Sequence, residues 1–160
     1  MLLLLMRHAA AARRDAKRYP DDALRPLTQA GRVEQRRVLR RLRKMGCLPA
    51  LILASPLKRA WQTAGVVRDA FDLPGAARIR CNALAASPDL RSIAEAVGTV
   101  NADTSIALVG HEPWIGELAS VLLTGSTSGV AIRFAKSGVL GVRVDRLEPG
   151  AGTLEFMLVP

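Results

Sequence analysis

The chain opens with an unbroken apolar stretch, Met1-Leu2-Leu3-Leu4-Leu5-Met6, and Arg7 and His8 follow it directly. A short apolar run that ends at charged residues is typical of a strand buried on both faces of a sheet. The run is too short to cross a bilayer, and neither a basic segment before it nor a cleavage pattern after it marks a signal peptide. We therefore predict a central strand over residues 2–6, with Arg7 and His8 at its carboxyl end.

The bulk composition suits one domain with a substantial core over residues 1–160, because 49% of the 160 residues are hydrophobic. The formal charge is +9, which favours acidic partners. The chain lacks the signatures of common nucleic-acid-binding modules, and only 4% of it is aromatic. Cys47 and Cys81 form no zinc spacing or disulfide framework. We expect no nucleic-acid or membrane partner, and a cytoplasmic location because no targeting segment is recognised; the oligomeric state stays open.

Apolar runs alternate with helical patterns along the rest of the chain, which predicts an α/β fold. The expected architecture is a single three-layer domain, in which helices cover both faces of a mixed, mainly parallel sheet. Further strands are predicted over residues 51–54, 78–81 and 105–109, with two or three extended segments between residues 129 and 160 and a turn at Gly150 and Gly152.

The predicted helices lie between these strands. The first has Thr28 as its N-cap and Gly46 just beyond its end, and the second has Ser55 as its N-cap with Pro56 at its first position. Two further helices are predicted over residues 89–97 and 113–123. Apolar residues at helical spacing in the first helix are expected to face the core: Ala30, Val33, Val38, Leu42 and Met45.

Four side chains follow predicted strands at the points where the strands end. Arg7 and His8 follow the first strand, Arg59 lies in the first turn after the second, and His111 follows the strand over residues 105–109. The carboxyl ends of strands in an open α/β sheet form a crevice where ligands bind. We therefore expect these four side chains to meet at one edge of the sheet, although they are distant in sequence.

Phosphoryl transfer suits this set of residues. The transferring group carries spread negative charge, which fixed arginines and the N-termini of helices stabilise. A neutral imidazole is a competent nucleophile, and neighbouring arginines are expected to lower the pKa of His8 and keep it neutral. A single histidine after a strand is more often structural. The chain has just two, and both follow strands together with arginines, which favours a functional site.

The motifs around these residues resemble the signatures of the histidine phosphatase superfamily, the clan of phosphoglycerate mutases and acid phosphatases. They are MRHA at residues 6–9, SPLKRAWQTA at 55–64 and VGHEP at 109–113, and DALRPLTQAG at 22–31 is also similar. The resemblance extends over most of residues 1–123 and implies a phosphoglycerate mutase-like fold. The short length is similar to that of the SixA-like phosphohistidine phosphatase group.

The resemblance also implies roles for the four residues. His8 would be the nucleophile that accepts the phosphoryl group, and Arg7 and Arg59 would clamp its oxygens. His111 would donate to the same oxygens and help to stabilise the transition state. The superfamily uses neither a metal nor another cofactor, so none is expected here.

The sequence departs from the superfamily pattern at two places. Ala9 replaces the glycine that follows the first histidine, and a positive φ at this position would be costly for alanine. Many relatives carry a general acid between the second arginine and the second histidine, but residues 82–88 contain no acid. An alkoxide leaves poorly without a proton donor, whereas an imidazole leaves easily from a phosphoramidate. The missing acid favours a phosphohistidine substrate, although four other carboxyl groups could supply the proton: Asp15, Asp21, Asp22 or Glu112.

The predicted function is thus metal-independent hydrolysis of phosphohistidine, on a protein or peptide, through a covalent phospho-His8 intermediate. A small-molecule phosphomonoesterase that uses the same site is the nearest alternative, and a non-catalytic polyanion-binding protein is another. The basic helix over residues 28–45 is expected to be a solvated surface, with binding of nucleic acid or polyphosphate, or docking of an acidic phosphoprotein, as the alternatives. Its basic residues are Arg32, Arg36, Arg40, Arg43 and Lys44.

Overall fold

A computed structural model of the chain describes residues 1–98 and 103–160, and its centre is a mixed six-stranded sheet. The strand order is β3-β2-β4-β1-β5-β6, in which β1 to β4 run parallel and β5 and β6 run antiparallel to their neighbours. This arrangement confirms the predicted α/β class with a mixed, mainly parallel sheet. The strands are β1 (Leu2–Arg7), β2 (Pro49–Ala54), β3 (Arg78–Arg80), β4 (Ser105–Gly110), β5 (Val139–Val144) and β6 (Gly152–Leu158).

Helices cover the sheet on both faces. Alternate residues of β1 point to opposite faces, so that Leu2, Leu4 and Met6 enter one apolar cluster while Leu3 and Leu5 enter the other. Both faces are buried, which explains why β1 is a continuous apolar run. Each buried leucine stabilises the fold by about 1.5–3 kcal/mol. The helices are α1 (Gln29–Lys44) and α2 (Lys58–Ala70), which contribute to the first cluster, and α3 (Leu90–Val97) and α4 (Trp114–Thr124), which contribute to the second.

The carboxyl ends of the three central parallel strands meet at one edge of the sheet. Arg7 at the end of β1 pairs with Gly110 at the end of β4, and Ala54 at the end of β2 pairs with Val109. The antiparallel strand β5 starts at the same edge, where Val139 pairs with Met6. The segments that follow β1, β2 and β4, and the segment that precedes β5, are therefore neighbours.

Helix α1 has the predicted caps but a different buried face. The Thr28 hydroxyl accepts the Gly31 N–H. Gly46 has a φ of +74°, and a residue with such a left-handed backbone is common just beyond the end of a helix. Val38 and Leu42 are buried as predicted, whereas three predicted core residues are not. Ala30, Val33 and Met45 are exposed, and the buried residues are Gly31, Gln35, Val38, Leu39 and Leu42.

The close approach of Gly31 to the segment after β1 explains this rotation of α1. A Cβ atom at Gly31 would lie 2.3 Å from the carbonyl oxygen of Ala10, so only glycine permits this contact. Because Gly31 faces inward, the residues at helical spacing from it, such as Gln35 and Val38, are buried as well.

The start of α2 differs from the prediction. Ser55 was expected to cap the helix, but α2 begins at Lys58, with Leu57 at the N-cap position and no side-chain cap. Ser55 is fully buried at the end of β2. The prediction for α3 is confirmed, because the Asp89 carboxylate accepts the Ser92 N–H at its first turn. The two or three extended segments predicted between residues 129 and 160 are confirmed as two strands, β5 and β6.

Among the described residues, no helix has both the length and the apolar character to span a bilayer.

Candidate active site

The two histidines lie side by side where β1 and β4 end. Their ring centroids are 5.0 Å apart, and the backbone N–H of His8 donates to the Gly110 carbonyl at 3.0 Å. Both residues are nearly buried, with exposed fractions of 8% for His8 and 4% for His111. The structure therefore brings together the histidines of two motifs that are about a hundred residues apart.

The His8 ring is oriented by its own backbone neighbour. Its Nδ1 lies 2.7 Å from the carbonyl oxygen of Ala9. A carbonyl oxygen can only accept, so Nδ1 carries the proton of the neutral ring. The other nitrogen, Nε2, then keeps its lone pair. This tautomer has the nitrogen that a nucleophilic attack requires.

The pKa of His8 is lowered from its ordinary value to about 4, and burial of the ring is the largest cause. The positive charges of Arg59, Arg7 and Lys136 lower the pKa further, while the hydrogen bond to Ala9 opposes them. The direction agrees with the prediction from neighbouring arginines, but desolvation is the larger effect. His8 is therefore neutral near pH 7.

His111 is oriented by Ser55, which sequence analysis had assigned to a helix cap. The Ser55 hydroxyl lies 2.8 Å from His111 Nε2, and the same oxygen accepts the Leu57 N–H at 3.3 Å. A hydroxyl has one proton and two acceptor sites, so donation of the Ser55 proton to Nε2 satisfies the hydroxyl, and this arrangement places the ring proton of His111 on Nδ1. Burial, followed by the charges of His8 and Arg59, lowers the pKa of His111 to about 3. His111 is therefore a neutral donor through Nδ1.

Arg59 is anchored by Asp22 from the segment between β1 and α1. Its Nη1 donates to the Asp22 carbonyl at 2.9 Å and lies 3.2 Å from the Asp22 Oδ2. Arg59 is only 8% exposed. Hydrogen bonds from Arg25 and Arg14 lower the pKa of Asp22 to about 2, with the charge of Arg59 adding to the effect. Asp22 is therefore ionised near neutral pH and holds arginines in place.

Arg7 is anchored from the opposite side, by the segment that precedes β5. Its Nη1 donates to the Phe134 carbonyl at 2.7 Å, and the Phe134 N–H donates to the Glu112 carboxylate at 2.5 Å. Glu112 follows His111 directly in sequence. One chain of hydrogen bonds thus links the motif after β4 to the arginine at the end of β1.

Each predicted site side chain except His8 has a buried polar atom with no hydrogen-bond partner among the described residues. These atoms are Arg7 Nε, Arg59 Nε and His111 Nδ1. All three are donors, and a buried donor without a partner costs about 1–3 kcal/mol. The site therefore combines two fixed guanidiniums with unpaired donors, which is the pattern expected of a receptor for an oxyanion.

The segment over residues 9–27 is held against α2 by two neighbouring side chains. Thr63 Oγ1 accepts the Ala9 N–H at 3.1 Å, and Gln62 Oε1 accepts the Leu27 N–H at 2.8 Å. Non-glycine residues with a left-handed φ in the described chain are Asp72 and Ser137, so Ala9 has no such strain. Alanine is thus compatible with the backbone after His8.

The carboxyl groups considered as proton donors accept hydrogen bonds from backbone N–H groups or, at Asp22, from arginine side chains. The Asp15 carboxylate accepts the N–H groups of Lys17 and Arg18, and the Asp21 carboxylate accepts that of Ala23. Glu112 and Asp22 are engaged as described above. Residues 1–98 and 103–160 contain no group of three or more His, Cys, Asp and Glu side chains that could hold a metal ion.

Three site residues were missed or misassigned from the sequence: Ser55, Phe134 and Ser137. Ser55 directly follows a predicted strand, and this position is the same signal that identified His8 and His111. Phe134 takes part through its carbonyl group, which no side-chain pattern can reveal. The backbone N–H of Ser137 donates to the His8 carbonyl at 3.4 Å, and no motif surrounds this serine.

Comparison with known proteins identifies the class. Residues 3–81 match the model of the histidine phosphatase superfamily, branch 1. The chain is 30% identical to the phosphohistidine phosphatase SixA of Escherichia coli, over all of this chain and 94% of that protein. It is 34% identical to an uncharacterized protein of Picosynechococcus, over 89% of this chain and 85% of the relative. It also superposes on the protein histidine phosphatase SixA complexed with tungstate, with a TM-score of 0.80, 27% identity and coverage of 99% and 96%.

The chain belongs to the histidine phosphatase superfamily, as the identity to its relatives over nearly their full length shows. Within that superfamily it is a SixA-like phosphatase.

Proposed function

We propose that this protein hydrolyses phosphohistidine, on a protein or peptide, through a covalent phosphoryl intermediate on His8 and without a metal ion. The observation that carries the proposal is the tautomer of His8. Its Nδ1 donates to the Ala9 carbonyl, which leaves an unprotonated Nε2 beside His111 and two anchored arginines. The low pKa of His8, about 4, keeps this nitrogen available at neutral pH.

The reaction has two displacements at phosphorus. In the first, His8 Nε2 forms a bond to phosphorus while the P–N bond of the substrate breaks, and the departing imidazole takes the electron pair and a proton from solvent. In the second, a water oxygen attacks phosphorus and the bond to Nε2 breaks. The water gives up a proton, inorganic phosphate leaves, and His8 recovers its lone pair.

The remaining site residues stabilise the transferring group. Arg7 and Arg59 bring positive charge to the phosphoryl oxygens, and their unpaired Nε atoms are free to donate. His111 adds a third donor through Nδ1, since Ser55 occupies its other nitrogen. Donors and charges that are fixed before the reaction need no reorganisation when charge develops, and this makes them effective.

The choice of phosphohistidine follows from the leaving group. Residues 82–88 supply no carboxyl group, and Asp22 is ionised because its pKa is about 2, so it has no proton to give near pH 7. An imidazole leaves without the strong proton donor that an alkoxide needs. The SixA relative, a phosphohistidine phosphatase by name, supports the same choice. Tungstate, the ligand of the similar SixA structure, is an oxyanion like phosphate.

The test is rapid-quench labelling with a radiolabelled phosphohistidine peptide, which compares the wild-type protein with His8→Ala. We expect an acid-labile, alkali-stable phosphoenzyme only in the wild-type protein, and turnover that a chelator leaves unchanged. Sugar phosphates serve as the competing substrates. Faster turnover of sugar phosphates would favour the phosphomonoesterase. Tight phosphate binding without a labelled intermediate would favour a polyanion-binding protein, and loss of activity on chelation would overturn metal independence.

A further inference from the structure

The segment just before β5 contains a serine whose side chain has no role described above. Ser137 is fully buried, and its hydroxyl has no hydrogen-bond partner among the described residues. An unsatisfied buried hydroxyl is uncommon in native proteins because it loses its hydrogen bonds to water without replacement. Other buried serines do find partners here: the Ser120 hydroxyl donates to the Ser126 carbonyl at 2.6 Å and accepts the Val130 N–H at 3.1 Å.

The backbone of Ser137 is unfavourable as well. Its φ is +64°, in the left-handed region where glycine is preferred and other residues are uncommon. The next residue is Gly138, so the chain has a glycine one position away from the strained one. Strain of this kind is often found at functional sites. Ser137 therefore combines two unfavourable features whose removal would be simple: one substitution by glycine eliminates both.

The register of the sheet places Ser137 opposite the nucleophile. Met6 pairs with Val139 in the antiparallel ladder of β1 and β5, and the Arg7 N–H donates to the Gly138 carbonyl at 3.2 Å. One step further, the Ser137 N–H donates to the His8 carbonyl at 3.4 Å. Both residues lie just beyond the ends of their strands, so this backbone hydrogen bond is the contact that holds Ser137 against His8.

The neighbours of Ser137 in sequence already serve the site. Phe134 holds Arg7 through its carbonyl group, and the positive charge of Lys136 acts on His8. We propose that Ser137 is a further phosphate-binding residue, whose hydroxyl donates to a phosphoryl oxygen alongside Arg7, Arg59 and His111. The inference rests on the proposed function, because the ligand it assigns to Ser137 is the phosphoryl group bound at that site.

The role explains both unfavourable features. The hydroxyl is unpaired because its partner is the anion, and the left-handed backbone is retained because it turns the segment at the point where it meets His8. A serine kept only for packing would gain nothing from an unsatisfied hydroxyl. Ser137→Gly should therefore stabilise the fold and weaken anion binding at the same time, which a purely structural role would not do.

The experiment is calorimetric titration of inorganic phosphate into the wild-type protein, Ser137→Gly and Ser137→Ala, together with thermal unfolding without phosphate. We expect phosphate to bind about tenfold more weakly to both variants, as the loss of one hydrogen bond to a charged group implies. Ser137→Gly should also unfold a few degrees higher. In kinetics, KM should rise by a similar factor with a smaller change in kcat.

Ser120→Ala is the matched control, because it removes a buried serine hydroxyl that has protein partners. It should lower the unfolding temperature and leave phosphate affinity unchanged. Equal phosphate affinity in all proteins, or a loss in kcat alone, would overturn the role of Ser137 while leaving the proposed function intact. A wild-type protein that binds no phosphate but still forms the labelled phosphoenzyme would overturn the inference alone, and one that does neither would refute the proposed function as well.

Discussion

The arginines at the strand ends and the arginines on α1 are the same residue type in opposite physical situations. Arg59 is 8% exposed, and its guanidinium is fixed by the backbone and carboxylate of Asp22. Arg36, Arg37 and Arg40 lie on the exposed side of α1. The difference teaches that the number of positive charges does not locate an anion site; the restraint and desolvation of those charges do.

Physical reasons for this difference are electrostatic and entropic. The interaction of two charges strengthens as the effective dielectric falls, so a buried guanidinium attracts a phosphoryl group more strongly than a solvated one. An exposed arginine must also give up side-chain freedom to bind, and salt screens its charge. The site arginines have already lost that freedom through their hydrogen bonds to Asp22 and Phe134.

Not every arginine of α1 is free, and this refines the interpretation of the basic helix. Arg43 donates to the Ala70 carbonyl at 2.5 Å, lies 3.2 Å from the Asp72 carboxylate and packs on the Phe71 ring. It therefore ties the end of α1 to the end of α2. A substitution at Arg43 would confound any test of docking, which is better made with the exposed residues nearby.

The largest effect is expected from Arg59→Ala. Loss of a fixed charge and donor at the phosphoryl group should lower kcat/KM by about 10²–10³-fold. The measurement is steady-state hydrolysis of a phosphohistidine peptide, with thermal unfolding to confirm that the variant is folded. Arg36→Ala is the matched control and should retain wild-type kinetics. Equal losses in both variants would break the distinction between anchored and solvated arginines.

A smaller effect is expected from Asp22→Asn, which sharpens the comparison by loosening an arginine rather than removing it. The amide keeps the shape but loses the charge that holds Arg59, so KM should rise about tenfold. The loss should be similar for a phosphohistidine peptide and for an aryl phosphate, because an anchor acts on every substrate. If activity were lost only on whichever of the two substrates has the poorer leaving group, Asp22 would instead be assigned as the proton donor to that leaving group.

The smallest effect is expected from reversing the exposed charges of α1. A variant with Arg36, Arg37 and Arg40 all changed to Glu should hydrolyse a phosphorylated protein within about twofold of the wild-type rate, since solvated charges contribute little. The assay is run at low and at physiological salt. A loss at low salt that is absent for a short peptide would contradict this expectation and identify α1 as a docking surface for an acidic phosphoprotein.

Sequence reasoning was most successful where a physical pattern is local. The run over residues 2–6 predicted β1, and Thr28 and Asp89 predicted the starts of α1 and α3, because strand burial and helix capping depend on nearby residues. It was less successful where a contact between residues distant in sequence determines which side chains are buried. The buried face of α1 follows from the approach of Gly31 to Ala10, which no periodicity within the helix encodes.

The same distinction separates the parts of the site. Position after a strand predicted where Arg7, His8, Arg59 and His111 would gather, since parallel strands bring their carboxyl ends to one edge. The position of a residue after a strand could not reveal which groups anchor its side chain. Ser55 was interpreted as a cap because a serine before a proline is typical of a helix start, and its contact with His111 joins residues 56 positions apart.

The amino-acid sequence by itself determined the alternation of apolar runs and helices, the residues at the strand ends and the resemblance to a phosphatase family. Those properties depend on short stretches of chain and on residue type. Only the tertiary structure decided the tautomer of His8, the anchoring of both arginines and the burial of Ser137. The physical reason is that hydrogen bonds and desolvation depend on which groups meet in space, and those partners lie on different elements of the fold.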